Sequence, residues 1–120
     1  MKNLQDRPRA ILFARVDKEE HKLYLDNRMA MVRRYAREHE YWTLHGIFSI
    51  IHVKEVEEKF LPSITAELIP SLEEELGLKP PYPITIIVCF WEELVSNKRR
   101  PIFKEKLEKM GVTVKEIGNK

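Results

Sequence analysis

RAILFARVD, residues 9–17, is the stretch whose reading decides the fold. Ala10 to Val16 is apolar apart from Arg15 and rich in branched side chains. That pattern marks a strand buried on both faces, as in parallel sheets. An arginine inside such a strand costs desolvation energy unless an anionic group meets it. Asp17 closes the stretch with a carboxylate at the strand exit. In parallel α/β sheets, strand exits are where ligands bind.

Outward from this strand, helices and strands alternate. A polar segment, Asp17 to Lys22, leads into a helix predicted from Leu23 or Tyr24 to His39. Its apolar positions Leu25, Met29, Val32 and Ala36 fall at helical spacing. Tyr41 to Ile51 reads as a second strand, with aromatic and branched residues throughout. From Val53 onward Glu and Lys dominate, while Val56, Phe60, Ile64 and Leu68 recur every four residues. Pro62 and Pro70 each lack a backbone donor, so two helical pieces are predicted between Val53 and Leu76, stopped by Gly77. Lys79 to Pro83, KPPYP, reads as a stiff connector. Ile84 to Phe90 is the second strongly buried strand. Ser96 or Asn97 is a candidate cap for a helix from Pro101 to Met110, closed by Gly111. Val112 to Ile117 is a short last strand. The order β-α-β-α-β-α-β predicts an α/β fold, a small, mostly parallel four-stranded sheet with helices on both faces.

The chain has 120 residues, which fits one domain, residues 1–120, with residues 1–8 as a flexible tail. Hydrophobic residues make up 43% and charged residues 33%, so a disordered chain is excluded. No apolar run approaches the roughly 20 residues that span a bilayer, and the N-terminus has no signal-peptide core. A cytoplasmic location without membrane partners is expected. Cys89 is the single cysteine and sits in the apolar run ITIIVCF, so it reads as a buried, inert thiol. A net charge of +2 does not by itself announce nucleic-acid binding. His21, His39, His45 and His52 show none of the usual zinc spacings.

Three segments carry a resemblance: RAILFARVD (9–17), LDNRMAMVRRYAREHEY (25–41) and LHGIFS (44–49). Together they resemble the N-terminal catalytic domain of serine recombinases, the resolvases and invertases. That family reads Tyr-Ala-Arg-Val-Ser in its first strand, then a Leu-x-x-Gln helix ending in Arg-Tyr-Ala, then a second strand. ITIIVCFWEEL (84–94) and KMGVTVKEI (109–117) match more loosely the family's third strand, its Asp-Arg-Leu-x-Arg segment and its last strand. The specific signal lies in residues 9–49.

The resemblance implies a degenerate member. In the family a serine hydroxyl attacks a DNA phosphate to form a phosphoserine linkage, and clustered guanidiniums stabilise the phosphoryl charge. Arg15 stands at the family's strand arginine. Asp17 stands at the nucleophile, where a carboxylate adds negative charge against a phosphate. Phe13 replaces a common tyrosine, and Arg28 replaces the helix glutamine. Ile50 or Ile51 falls where an acidic residue is common. The segment rich in arginine becomes Trp91, Glu92, Glu93, Leu94, Val95, Ser96, so two guanidiniums are absent. Each lost charge stabiliser costs roughly two to three orders of magnitude in rate.

Two functions are therefore weighed. The first is an inactive recombinase-like domain that works through protein association, as a homodimer or with a protein partner, in the regulation of DNA recombination or of a mobile element. The second is a metal-dependent nuclease or phosphotransfer domain using Asp17, Glu92 and Glu93, since hard cations prefer oxygen ligands. Arg15 contacts a phosphate in one reading and forms an ion pair with Asp17, Glu92 or Glu93 in the other. Arg28, Arg33, Arg34 and Arg37 make the first helix basic, and Lys98, Arg99 and Arg100 form a second basic run. Both are candidate nucleic-acid surfaces, or solvated helix faces. No cofactor is implied. The chain stops a few residues after its last strand, so sequence-specific DNA binding through an appended domain is not expected.

Overall fold

The apolar run forms β1 (Arg9–Val16), and every residue from Ala10 to Val16 is buried. The computed structural model describes residues 7–77 and 84–118. A 3-10 turn at Glu19–His21 leads into α1 (Lys22–Glu38). β2 (Trp42–Ile50) follows. A long helix, α2, is then assembled from Val53–Glu55, Val56–Phe60, Leu61–Ser63, Ile64–Leu68 and Ile69–Leu76. β3 (Ile84–Val88), a 3-10 turn at Trp91–Glu93, α3 (Arg100–Lys109) and β4 (Thr113–Glu116) complete the described chain. The connector predicted at residues 79–83 lies outside the described residues, as do residues 1–6 of the predicted tail. Pro8 is not free, since its carbonyl accepts a hydrogen bond from the Trp42 N–H at 2.7 Å.

The sheet order is β2-β1-β3-β4, with all three pairings parallel. β1 and β3 are the interior strands, which is why their sequences are apolar without alternation. Odd-numbered side chains of β1, Ile11 and Phe13, point to the face covered by α2 and α3. Even-numbered ones, Ala10 and Leu12, meet Val32 and Ala36 of α1 on the other face. Phe13 is fully buried in the larger cluster; burying such a side chain contributes roughly 1.5–3 kcal/mol. Glu40 takes a left-handed conformation after α1, with φ of 55°, and the Tyr41 N–H donates to the Ala36 carbonyl at 2.8 Å. This bond satisfies a carbonyl at the helix end and turns the chain into β2.

Two expectations need correction. The two helical pieces expected between Val53 and Leu76 form one continuous helix. Its windings at Val56–Phe60 and Ile64–Leu68 are π turns, and each ends two residues before a proline, Pro62 and Pro70. A π turn moves the hydrogen-bond register back by one residue, so the proline ring avoids the carbonyl it would strike in an α-helix. The Thr65 hydroxyl then donates to the carbonyls of Leu61 and Pro62, at 3.0 and 3.2 Å. The cap expected from Ser96 or Asn97 is also absent. Arg99 occupies the N-cap position of α3 with no side-chain bond, and the Ser96 carbonyl accepts from the N–H groups of Arg99 and Arg100. Gly77, by contrast, has the left-handed φ of 68° expected of a helix stop.

Candidate functional site

The β1–β3 ladder ends at Leu12 and Ile87, while β1 keeps pairing with β2 as far as Val16 and Ile50. Beyond that point β3 turns away into Trp91–Glu93, and the C-terminal half of β1 loses its neighbour on that side. Glu93 fills the gap. Its Oε1 accepts from the Arg15 N–H at 3.0 Å, and its Oε2 from the Phe90 N–H at 2.8 Å. Glu116 holds the same turn by accepting from the Trp91 N–H at 2.9 Å. One buried carboxylate thus replaces a stretch of sheet ladder.

Arg15 is only 6% exposed. Its Nε donates to the Glu93 carbonyl at 2.9 Å and its Nη2 to the Glu92 carbonyl at 3.1 Å. Its Nη1 donates to the Ile51 carbonyl at 2.9 Å and to Oδ1 of Asp17. The guanidinium therefore stitches together the exits of β1, β2 and β3. Arg28 reaches in from α1. Its Nη1 donates to the Arg15 carbonyl at 2.6 Å and lies 3.6 Å from Oε1 of Glu93, and its guanidinium sits over the Phe90 ring at 5.6 Å.

These residues border a cleft of about 540 Å³ at the strand exits, with Val16, His21 and Tyr24 completing its rim. The lining contains no serine, threonine or cysteine. The hydrogen bond from Arg15 holds the Asp17 carboxyl below its ordinary range. Burial pushes the Glu93 carboxyl up, against the opposing donations from the Arg15 and Phe90 N–H groups and the charge of Arg28. Cys89 is buried, and burial raises its thiol to about 11, so it is not a nucleophile at neutral pH.

The strand-exit residues expected from sequence divide in two. Arg15, Asp17, Glu92, Glu93 and Arg28 come together at the cleft. Phe13 does not, because the strand alternation sends it into the core. Among the described residues no three His, Cys, Asp or Glu side chains are grouped to hold a metal ion. Asp17 turns to Arg15, and both Glu93 oxygens are bonded to backbone N–H groups.

The basic residues lie elsewhere. The Arg33 guanidinium covers Phe48 at 4.9 Å, and Arg34 and Arg37 are exposed on α1. Lys98 is exposed, Arg100 stacks over Trp91 at 4.7 Å, and Arg99 lies 3.6 Å from Glu57. Glu57 went unnoticed in the sequence. It is buried on α2 and accepts from the Ser96 N–H at 2.6 Å, which anchors the turn before α3. His21 and Tyr24 also gave no sequence signal as cleft residues. His52 caps α2 by accepting from the Lys54 N–H at 3.2 Å.

No family model matches the chain, and no curated protein matches it. Among solved structures, the chain is similar to the C-terminal catalytic domain of ISC1926 TnpA, an IS607-like serine recombinase. The TM-score is 0.63 with 18% sequence identity, over 93% of this chain and 69% of that one. At that identity the likeness speaks for the fold. The chain has the small, all-parallel, four-stranded α/β architecture of a serine-recombinase catalytic domain. No helix among the described residues is long and apolar enough to cross a membrane.

Proposed function

We propose that this chain is a serine-recombinase-like domain that does not exchange DNA strands. It acts through protein association, with another copy or a partner protein, in the regulation of DNA recombination or of a mobile element. The observation that carries this reading is the closed Arg15–Asp17 pair at the strand exits. The carboxylate at the position of the family's serine satisfies the arginine that would otherwise face a phosphate. A carboxylate attacking a phosphate would form a labile acyl phosphate, which cannot serve as the reversible diester link of strand exchange. Three further acceptors, the carbonyls of Ile51, Glu92 and Glu93, hold the same guanidinium in place. Removing it from them would leave buried carbonyls unpaired, at roughly 1–3 kcal/mol each.

The test is incubation with a supercoiled plasmid carrying recombination sites, followed by denaturing electrophoresis. Plasmid that stays supercoiled and free of protein supports the reading. A covalent protein–DNA adduct overturns it. Light scattering across a concentration series tests the association half. Mass that rises with concentration, or a stable complex with a partner, is the expected result.

A further inference from the structure

We infer that the outer face of α1 docks onto the α2–β2 flank of a second copy of this chain, giving head-to-tail self-association. This inference rests on the association reading above and names its surface. α1 buries Leu25, Val32 and Ala36 against the sheet. Its opposite face, at helical spacing, presents Leu23, Ala30, Met31, Arg34 and Arg37 to solvent. Leu23 is 74% exposed and Met31 42%, which makes them apolar knobs beside two arginines.

The other side of the sheet carries the complement. α2 exposes Glu55, Glu58, Glu67, Glu74 and Glu75. Beside them runs a groove of about 410 Å³ between α2 and the edge strand β2, with Ile47, Phe60, Ile64 and Leu68 in its lining and Ser63 and Glu67 among its polar members. Among the described residues, neither Arg34 and Arg37 nor these glutamates form an ion pair. A net charge of only +2 conceals a chain whose basic and acidic helices lie on opposite faces of one sheet.

A single molecule cannot bring the two surfaces together, whereas a second copy supplies each with its match. Apolar knobs beside two arginines meet an apolar groove that has Glu67 in its lining and runs along an acidic helix, a pairing that gives both steering and register. Because the two surfaces differ, the contact is heterologous and continues from copy to copy instead of closing as a two-fold dimer.

The experiment is sedimentation velocity on the full chain at rising concentration, in about 0.1 M and about 1 M salt, where the screening length falls from ~10 to ~3 Å. The expected result is a mass that grows past the dimer at low salt and falls back at high salt. Two double variants, Arg34→Glu with Arg37→Glu and Glu67→Lys with Glu74→Lys, are checked for native circular dichroism. Each should weaken association about tenfold or more, and an equimolar mixture of the two should restore it. Association that survives both reversals overturns this surface and leaves the association reading standing. A wild-type chain that stays monomeric throughout also overturns the surface. So does loss of binding to a duplex oligonucleotide on α1 reversal with association unchanged. A covalent adduct in the plasmid assay strikes the underlying reading instead.

Discussion

The cleft at the strand exits and the outer faces of α1 and α2 are both rich in charge, yet they use it in opposite ways. In the cleft, Arg15, Arg28, Asp17 and Glu93 are bonded to one another or to the backbone. On the helices, Arg34, Arg37, Glu58 and Glu74 point to solvent. Charge that is locked into the frame keeps the strand exits together. Charge on a surface contributes little to stability, about 0–1 kcal/mol per pair, and is free to meet a partner. The contrast sets charge bonded into the strand exits of the sheet against charge that the helices leave open to solvent.

The largest effect that sharpens this contrast is predicted for Arg15→Ala. It leaves three carbonyls without their donor and removes the counter-charge from the strand-exit carboxylates. Urea denaturation should show a loss of about 3–5 kcal/mol. Arg34→Ala, on the exposed face, should stay within about 0.5 kcal/mol. Equal losses at the two positions would erase the distinction.

Glu93→Gln comes next. The amide presents its NH₂ to one of the two backbone N–H groups that the carboxylate now satisfies, so a loss of about 1–3 kcal/mol is expected. The variant also changes the pH dependence of stability. Burial raises the Glu93 carboxyl in the folded chain, so the folded state holds that proton to higher pH than the unfolded state. Its contribution is fully present below the ordinary value of 4.5 and declines as pH rises through the folded value. Chemical denaturation across pH 4–8 should show that decline in the wild type and a flatter profile in Glu93→Gln.

The smallest effect belongs to Asp17→Asn. The Asp17 side chain is 50% exposed, so solvent screens its pair and the loss should be under about 1 kcal/mol at neutral pH. Arg15 lowers the Asp17 carboxyl below its ordinary 3.8. Its contribution is therefore present above that value and lost as pH falls through the lower folded value. Acid denaturation below pH 4 should accordingly begin less steeply in the variant.

Much of this was legible in the sequence, for physical reasons particular to each element. β1 and β3 are apolar on both faces because they lie inside the sheet, and α1 shows its buried stripe in Leu25, Val32 and Ala36. Their order alone yields the architecture that the comparison with a recombinase domain supports. The pairing of Arg15 with Asp17 was open to view because the two lie two residues apart at one strand exit. The carbonyl partners of Arg15 were hidden, since a backbone acceptor can belong to any residue. Glu57 was hidden because its partners, Ser96 and Arg99, lie far along the chain and meet it only through packing. The unbroken α2 was concealed by its prolines, whose usual effect is relieved by π turns that no sequence period reveals.

Placing a hydroxyl at residue 17 tests the proposed function most directly. Asp17→Ser puts a serine where the proposed function sets the recombinase nucleophile, beside an Arg15 still held by three carbonyls and close to Glu92 and Glu93. The wild type and the variant are each incubated with a supercoiled plasmid bearing recombination sites and run on a denaturing gel. The account predicts no covalent protein–DNA adduct from either. An adduct with the variant would contradict the claim that Arg15 is closed to a phosphate, and one with the wild type would overturn the proposed function.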